Sequence, residues 1–287
     1  MRRTILAAAL TAAVLLATGG PARAINTYNA VPATDRTEVG ALVVQWDDDG
    51  DPATPDTVDW YCSGTMIDRD VFLTAAHCTT DWPDGARFYV SLLQDVQSAL
   101  DAAKAAGLTP AQVAASVGVE GTAHTHPDYP GPNSDTHDIA VVTVDAAAIA
   151  ARWTFTPATL PTAGLLSTLG SRQLDSLYWE VVGYGTNEAQ RGPGGHIHPG
   201  GGVRLKAQVG FNSLNPTWVR LAMNVSRGYG GACYGDSGGP NFVTVGGVRI
   251  LASTTITGDT PCYATNVTYR LDSASARAFL DDFVALP

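Results

Sequence analysis

Short β-prone runs separated by Gly-, Asp- and Pro-rich turns recur along most of the 287-residue chain, and this spacing is the strongest constraint on its fold. The runs are 41–46, 60–66, 71–73 and 139–142 in the first half, then 179–183, 203–209, 242–245, 248–253 and 264–271. Many short strands at such intervals predict an all-β barrel or sandwich. One interval breaks the pattern. Leu93, Val96, Leu100 and Ala103 recur at helical spacing until Gly107, and Thr109-Pro110 then offers an N-cap and a first-turn proline for a second helix ending near Gly118. The spacing predicts a helical hairpin inserted in the first half. A last helix follows Asp272 or Ser273, with Phe279, Leu280, Phe283 and Val284 as one apolar stripe expected to dock on the second half. Residues 145–164 are rich in Ala, Thr and Pro, without a clear strand, and read as a linker between halves.

Residues 1–24 read as a secretory signal: Arg2 and Arg3, an apolar run too short to span a bilayer, then Ala22-Arg23-Ala24 at the cleavage position. The expectation is a secreted, extracellular chain starting at Ile25, with one half at 25–155 and the other at 156–287. Cys62, Cys78, Cys233 and Cys262 all follow the signal, and an even count in an exported chain implies disulfides, with three pairings open. Metal binding by these cysteines is the weaker reading, because no CxxC or HxxxH spacing occurs, and no metal is assigned. The formal net charge of −10 argues against nucleic acid and anionic membranes as partners. The loop Asp47-Asp48-Asp49-Gly50-Asp51 has carboxylates suited to calcium, but it lacks the EF-hand spacing and distal Glu, so a solvated hairpin loop is preferred. His196 and His198 stand at i, i+2 in a glycine-rich stretch that reads as a mobile loop rather than a metal site.

The chemistry concentrates at Gly231-Ala232-Cys233-Tyr234-Gly235-Asp236-Ser237-Gly238-Gly239-Pro240. Backbone N–H groups gathered by such a loop can hold an oxyanion. A serine hydroxyl is a weak nucleophile at neutral pH and needs a base, which in turn needs an acid to hold its tautomer. His77 precedes a cysteine that would fix its backbone, and Asp138 lies where a polar loop enters an apolar strand. His77, Asp138 and Ser237 are therefore the candidate base, orienting acid and nucleophile.

Leu73-Thr74-Ala75-Ala76-His77-Cys78, His137-Asp138-Ile139-Ala140-Val141-Val142 and Gly235-Asp236-Ser237-Gly238-Gly239-Pro240 resemble the three signature segments of the chymotrypsin-like (trypsin-like) serine peptidases. Gly183-Tyr184-Gly185 resembles that family's Gly-aromatic-Gly turn, and 157–161 its inter-barrel segment. The resemblance implies two antiparallel six-stranded β-barrels with the active site between them, and disulfides Cys62–Cys78 and Cys233–Cys262. It implies a secreted monomer that hydrolyses peptide bonds of protein or peptide substrates through an acyl-enzyme. The N–H groups of Gly235 and Ser237 would form the oxyanion hole. Asp236 would pair with a free amino group at Ile25, although Ile25-Asn26-Thr27-Tyr28 departs from the family's usual Ile-Val-Gly-Gly. Ser253 would bond Asp138. The specificity pocket would have Gly231 at its floor, Thr254 and Thr255 in its wall and Asn266 deeper in. Glycine rather than aspartate at 231 disfavours Arg or Lys on the acyl side of the scissile bond and favours an apolar or small residue.

Two other readings compete. Gly235-Asp236-Ser237-Gly238-Gly239 also fits the G-x-S-x-G elbow of an esterase or lipase, but that fold needs its histidine after the serine, and the last histidine here is His198. A secreted peptidase-like binding protein with a silent site would be expected to lack a triad member, and all three are present.

Overall fold

The structure is a computed structural model that describes residues 25, 28–51, 54, 56–131, 136–192 and 194–287. The signal-peptide expectation for 1–24 lies outside the described residues. Six strands form the first closed barrel: β1 (Val39–Trp46), β2 (Thr57–Met66), β3 (Val71–Thr74), β4 (Arg87–Ser91), β5 (Val119–Thr125) and β6 (Ala140–Val144). Their order around the barrel is β1-β2-β3-β6-β5-β4, with β4 returning to β1. The second barrel uses β7 (Trp179–Gly183), β8 (Leu205–Leu214), β9 (Trp218–Ala222), β10 (Pro240–Val245), β11 (Val248–Gly258) and β12 (Thr265–Arg270). Its order is β8-β9-β12-β11-β10-β7, and the β7–β8 pairing closes it. All these pairings are antiparallel, and closure leaves no long free edge.

The inserted hairpin is α1 (Val96–Ala105) and α2 (Pro110–Val117). Asp95 caps α1 by accepting from Ser98 N, while Thr109 and Gln112 form a reciprocal capping box on α2. Val96, Leu100 and Ala103 turn inward from α1, and Val113, Ala114 and Val117 from α2. Two further helices occupy segments that read as linker or carried no signal. α3 (Ala146–Arg152) is capped by Asp145, and α4 (Leu165–Ser176) is interrupted at Gly170.

The final helix, α5 (Ala274–Leu280), is capped by Ser273, whose hydroxyl accepts from Ala276 N. Asp272 instead caps α4 through Leu166 N and pairs with Arg270. α5 reaches across to the first half rather than resting only on the second. Phe279 stacks near His126 and Phe283 near His124, each with ring centroids 5.1 Å apart. The large core therefore runs from the first barrel through α5 to one side of the second barrel, and a separate cluster around Trp179, Val209 and Leu221 fills the second. Ile25 is fully buried in that second cluster.

The disulfides are Cys62–Cys78 and Cys233–Cys262, spanning 16 and 29 residues. Loops of this size are worth about 3 and about 3.5 kcal/mol in the chain-entropy view. Among the described residues no helix is long and apolar enough to cross a membrane.

Candidate active site

The imidazole comes from the end of β3. The chain leaves Thr74 into a single 3-10 turn over Ala76–Cys78, and the Cys62–Cys78 bridge ties that turn to β2. His77 N donates to Asp138 Oδ1 at 3.0 Å, and His77 Nδ1 lies 2.8 Å from Asp138 Oδ2. An ionised carboxylate only accepts, so this contact suits the tautomer with its proton on Nδ1, which leaves a lone pair on Nε2. The Asp138 side chain is 5 % exposed and that of His77 23 %. His137 directly precedes the carboxylate. Its backbone sits at φ 55°, a region non-glycine residues rarely occupy, and its Nδ1 lies 2.6 Å from Ser275 Oγ on α5.

Ser237 is presented by the loop before β10, and backbone bonds shape this loop. Asp236 N donates to Cys233 O, Gly239 N to Asp236 O, and Gly238 N to Thr255 O. Gly235 and Gly238 hold φ 91° and 77°, and a Cβ on Gly238 would run into Thr74 Oγ1 and the Ser63 carbonyl. Ser63, on β2 of the first barrel, ties this loop to its own half. Its N–H donates to Ser237 O (2.8 Å), its hydroxyl donates to Gly235 O (2.9 Å), and the same hydroxyl accepts from Tyr184 N (2.9 Å). Among the described residues neither Gly235 N nor Ser237 N has an intramolecular acceptor, and no hydrogen bond joins Ser237 Oγ to His77.

Asp236 is wholly buried. Its carboxylate accepts from Gly185 N (2.7 Å) and Cys233 N (2.8 Å), and no cation faces it among the described residues. Burial pushes its carboxyl up to about 7 against the opposing pull of those two N–H groups. Gly183 and Gly185 leave room for it, since a Cβ on either would overlap its carboxylate. Ile25 still belongs to a continuous chain here, so its nitrogen is a peptide nitrogen, and its backbone is held at φ 64°.

His77 and Ser237 line one cleft of 570 Å³, together with Thr255 and Asn266. Ser253, Thr254 and Gly231 do not line it. Ser253 is buried, and its hydroxyl accepts from Thr268 Oγ1 at 2.7 Å instead of reaching Asp138. Gly231 backs onto Met223, which leaves no space for a Cβ. The register of β11 shifts just before Ser253 and Thr254: Asn241 pairs with Ser253 but Phe242 with Leu251, so Ala252 is an extra residue and sequence offsets do not carry across it.

Trp60, Tyr61, Tyr234 and Asp259 also line the cleft, and sequence reasoning missed all four. Trp60 would collide with a Cβ on Gly201, Gly202 or Gly235. Its indole N–H donates to Gln97 Oε1 (2.7 Å), which links α1 to the wall beside Gly235. The aromatic pair Trp60-Tyr61 directly before Cys62 is the only signal that pointed there.

In the acidic loop Asp47, Asp48 and Asp49 each bring a carboxylate oxygen within 4.8 Å of the others. Asp47 Oδ1 accepts from Gly50 N, Asp49 Oδ1 from Asp51 N and Thr54 Oγ1, and Asp48 Oδ2 from Thr57 Oγ1. His198 Nδ1 lies 3.1 Å from Asn187 O, beside Tyr234.

Two closed six-stranded barrels with this cleft define the chymotrypsin-like serine peptidase class. The sequence model of the Trypsin family matches residues 50–273, and the chain belongs to that family. No curated protein sequence matches it.

Proposed function

We propose that the protein is a secreted serine endopeptidase in which His77, Asp138 and Ser237 act as a triad. The observation that carries this reading is the two-point contact of His77 with Asp138, in a cleft that Ser237 also lines. Ser237 Oγ attacks the scissile carbonyl carbon while its proton passes to His77 Nε2. Asp138 stabilises the imidazolium that forms. Negative charge on the former carbonyl oxygen is met by the N–H groups of Gly235 and Ser237, and losing one such donor typically costs about 3 kcal/mol of transition-state stabilisation. The imidazolium then protonates the leaving amine, and water deacylates the ester by the same route in reverse. Hydrogen bonds to the nucleophile commonly tighten only when substrate is bound.

Activation is assigned to export. Cleavage after Ala24 would turn the Ile25 nitrogen into an ammonium that could pair with Asp236. It would also abolish the φ dihedral of Ile25, which exists only while a residue precedes it, and with it the cost of a β-branched residue at φ 64°. Mass spectrometry of the secreted protein tests this, and a start other than Ile25 overturns it.

The enzymatic reading is tested by a fluorophosphonate probe. Labelling of the mature protein and its loss in Ser237→Ala support it. Folded mature protein that takes no label favours a silent binding protein.

A further inference from the structure

Three buried side chains meet on neighbouring strands of the second barrel beside the cleft: Asn241 on β10, Thr255 on β11 and Asn266 on β12. Their amides can be oriented from one fixed point. A carbonyl only accepts, so the Asn241 atom 3.5 Å from Ser253 O is Nδ2, which also donates to Thr255 Oγ1 at 3.0 Å. Asn241 Oδ1 therefore faces Asn266. The Asn266 atom 3.0 Å from it must be Nδ2, which also reaches Thr255 Oγ1 at 3.2 Å. Asn266 Oδ1 is the atom left over. It has no partner among the described residues, although Asn266 is 1 % exposed and lines the cleft. A buried acceptor without a donor is costly, and sites built around one discriminate strongly against ligands that cannot supply it.

The charges around the cleft narrow the partner. Asp259, the carboxylate in its lining, already accepts from Tyr263 N, Ala264 N and Thr265 N. Gly231 supplies no carboxylate. A buried lysine or arginine side chain would thus have to compete with three backbone N–H donors for that carboxylate. A glutamate or aspartate would set its own lone pairs against Asn266 Oδ1. An aliphatic side chain would fill space and leave that oxygen unpaired.

Building on the peptidase reading, we propose that Asn266 is the specificity-determining residue, and that its Oδ1 accepts a hydrogen bond from an uncharged donor on the substrate side chain at the acyl side of the scissile bond. Glutamine is the diagnostic case, because glutamate and methionine are close to it in shape. This is sharper than the apolar or small side chain expected from Gly231.

The test uses fluorogenic peptides that differ only at that position, with the mature full-length protein. The expected kcat/KM for glutamine exceeds those for methionine, glutamate and lysine by at least about tenfold. Asn266→Leu should bring methionine level with or above glutamine while Ser237 still takes the fluorophosphonate. Should that variant misfold by circular dichroism, Asn266→Asp serves instead, and its expected signature is a rise of lysine relative to glutamine. Labelled wild-type enzyme that prefers methionine, leucine or lysine overturns the inference and leaves the peptidase reading intact. A variant whose preference is unchanged does the same. Absence of both labelling and cleavage overturns the peptidase reading, and this inference falls with it.

Discussion

The two halves of the cleft are held in different ways. In the first barrel, His77 and Asp138 are fixed by side chains: a carboxylate gripping both a ring nitrogen and a backbone N–H, a disulfide, and His137 pinned to α5. In the second, a disulfide, the Asp236 carboxylate and the Ser63 hydroxyl also take part, but the stretch that carries Ser237 is shaped mainly by backbone bonds and by glycines packed against neighbours with no room for a Cβ. The base needs an orientation that a polar partner can impose. An oxyanion hole needs N–H groups aimed by the main chain. The first side should therefore fail through lost chemistry, and the second through lost structure.

Four outcomes would sharpen or break that contrast. The largest effect is expected at Asp138→Asn, with a fall in kcat of about 10⁴ in peptide cleavage, because the amide no longer selects the tautomer that leaves Nε2 free. Next is Gly238→Ala, which combines a positive φ with overlap on Thr74 and Ser63. A loss of about 3 kcal/mol or more in urea unfolding is expected. Gly50→Ala, also at positive φ but in open space, should cost clearly less. If the two glycines cost the same, packing does not fix the second side.

The third outcome concerns pH. The Asp236 carboxyl is raised to about 7 in the uncut chain, above its unfolded value of about 4. The folded state then binds the proton more tightly, so this group's contribution to stability is fully present below about pH 4 and is lost as pH climbs through about 7. The melting temperature of the uncut chain should drop over that window, and Asp236→Asn should flatten the slope. Cutting before Ile25 should also remove it, if an ammonium then pairs with the carboxylate. The smallest effect is expected for Gln97→Leu, which frees the Trp60 indole N–H. A severalfold fall in kcat with little change in KM is expected, with partial recovery in Gln97→Glu, which keeps the acceptor.

What could be read from the sequence was what is local along the chain. The all-β character and the inserted hairpin were legible because strand spacing, the Thr109 cap and the apolar stripes are short-range signals, and the pair of barrels followed from the family resemblance. The candidate triad stood out because each of its members sits inside a compact motif. What stayed hidden depended on tertiary placement. α3 lies in a stretch whose Ala, Thr and Pro content reads as linker, yet the Asp145 cap starts a helix there. Where Ser253 and Thr254 lie relative to the cleft depends on a register shift at Ala252 in β11 that no local sequence pattern announces. α5 crossed to the first half because its phenylalanines meet histidine rings that no local pattern connects.

Ser63 has a consequence for motion. Its three bonds to Gly235, Ser237 and Tyr184 span both barrels at the base of the cleft. A hinge opening of one barrel from the other would have to break all three together. Adjustment to substrates of different bulk is therefore left to the exposed rim at Thr257, Gly258 and Thr260, with the barrels acting as one rigid anvil beneath it.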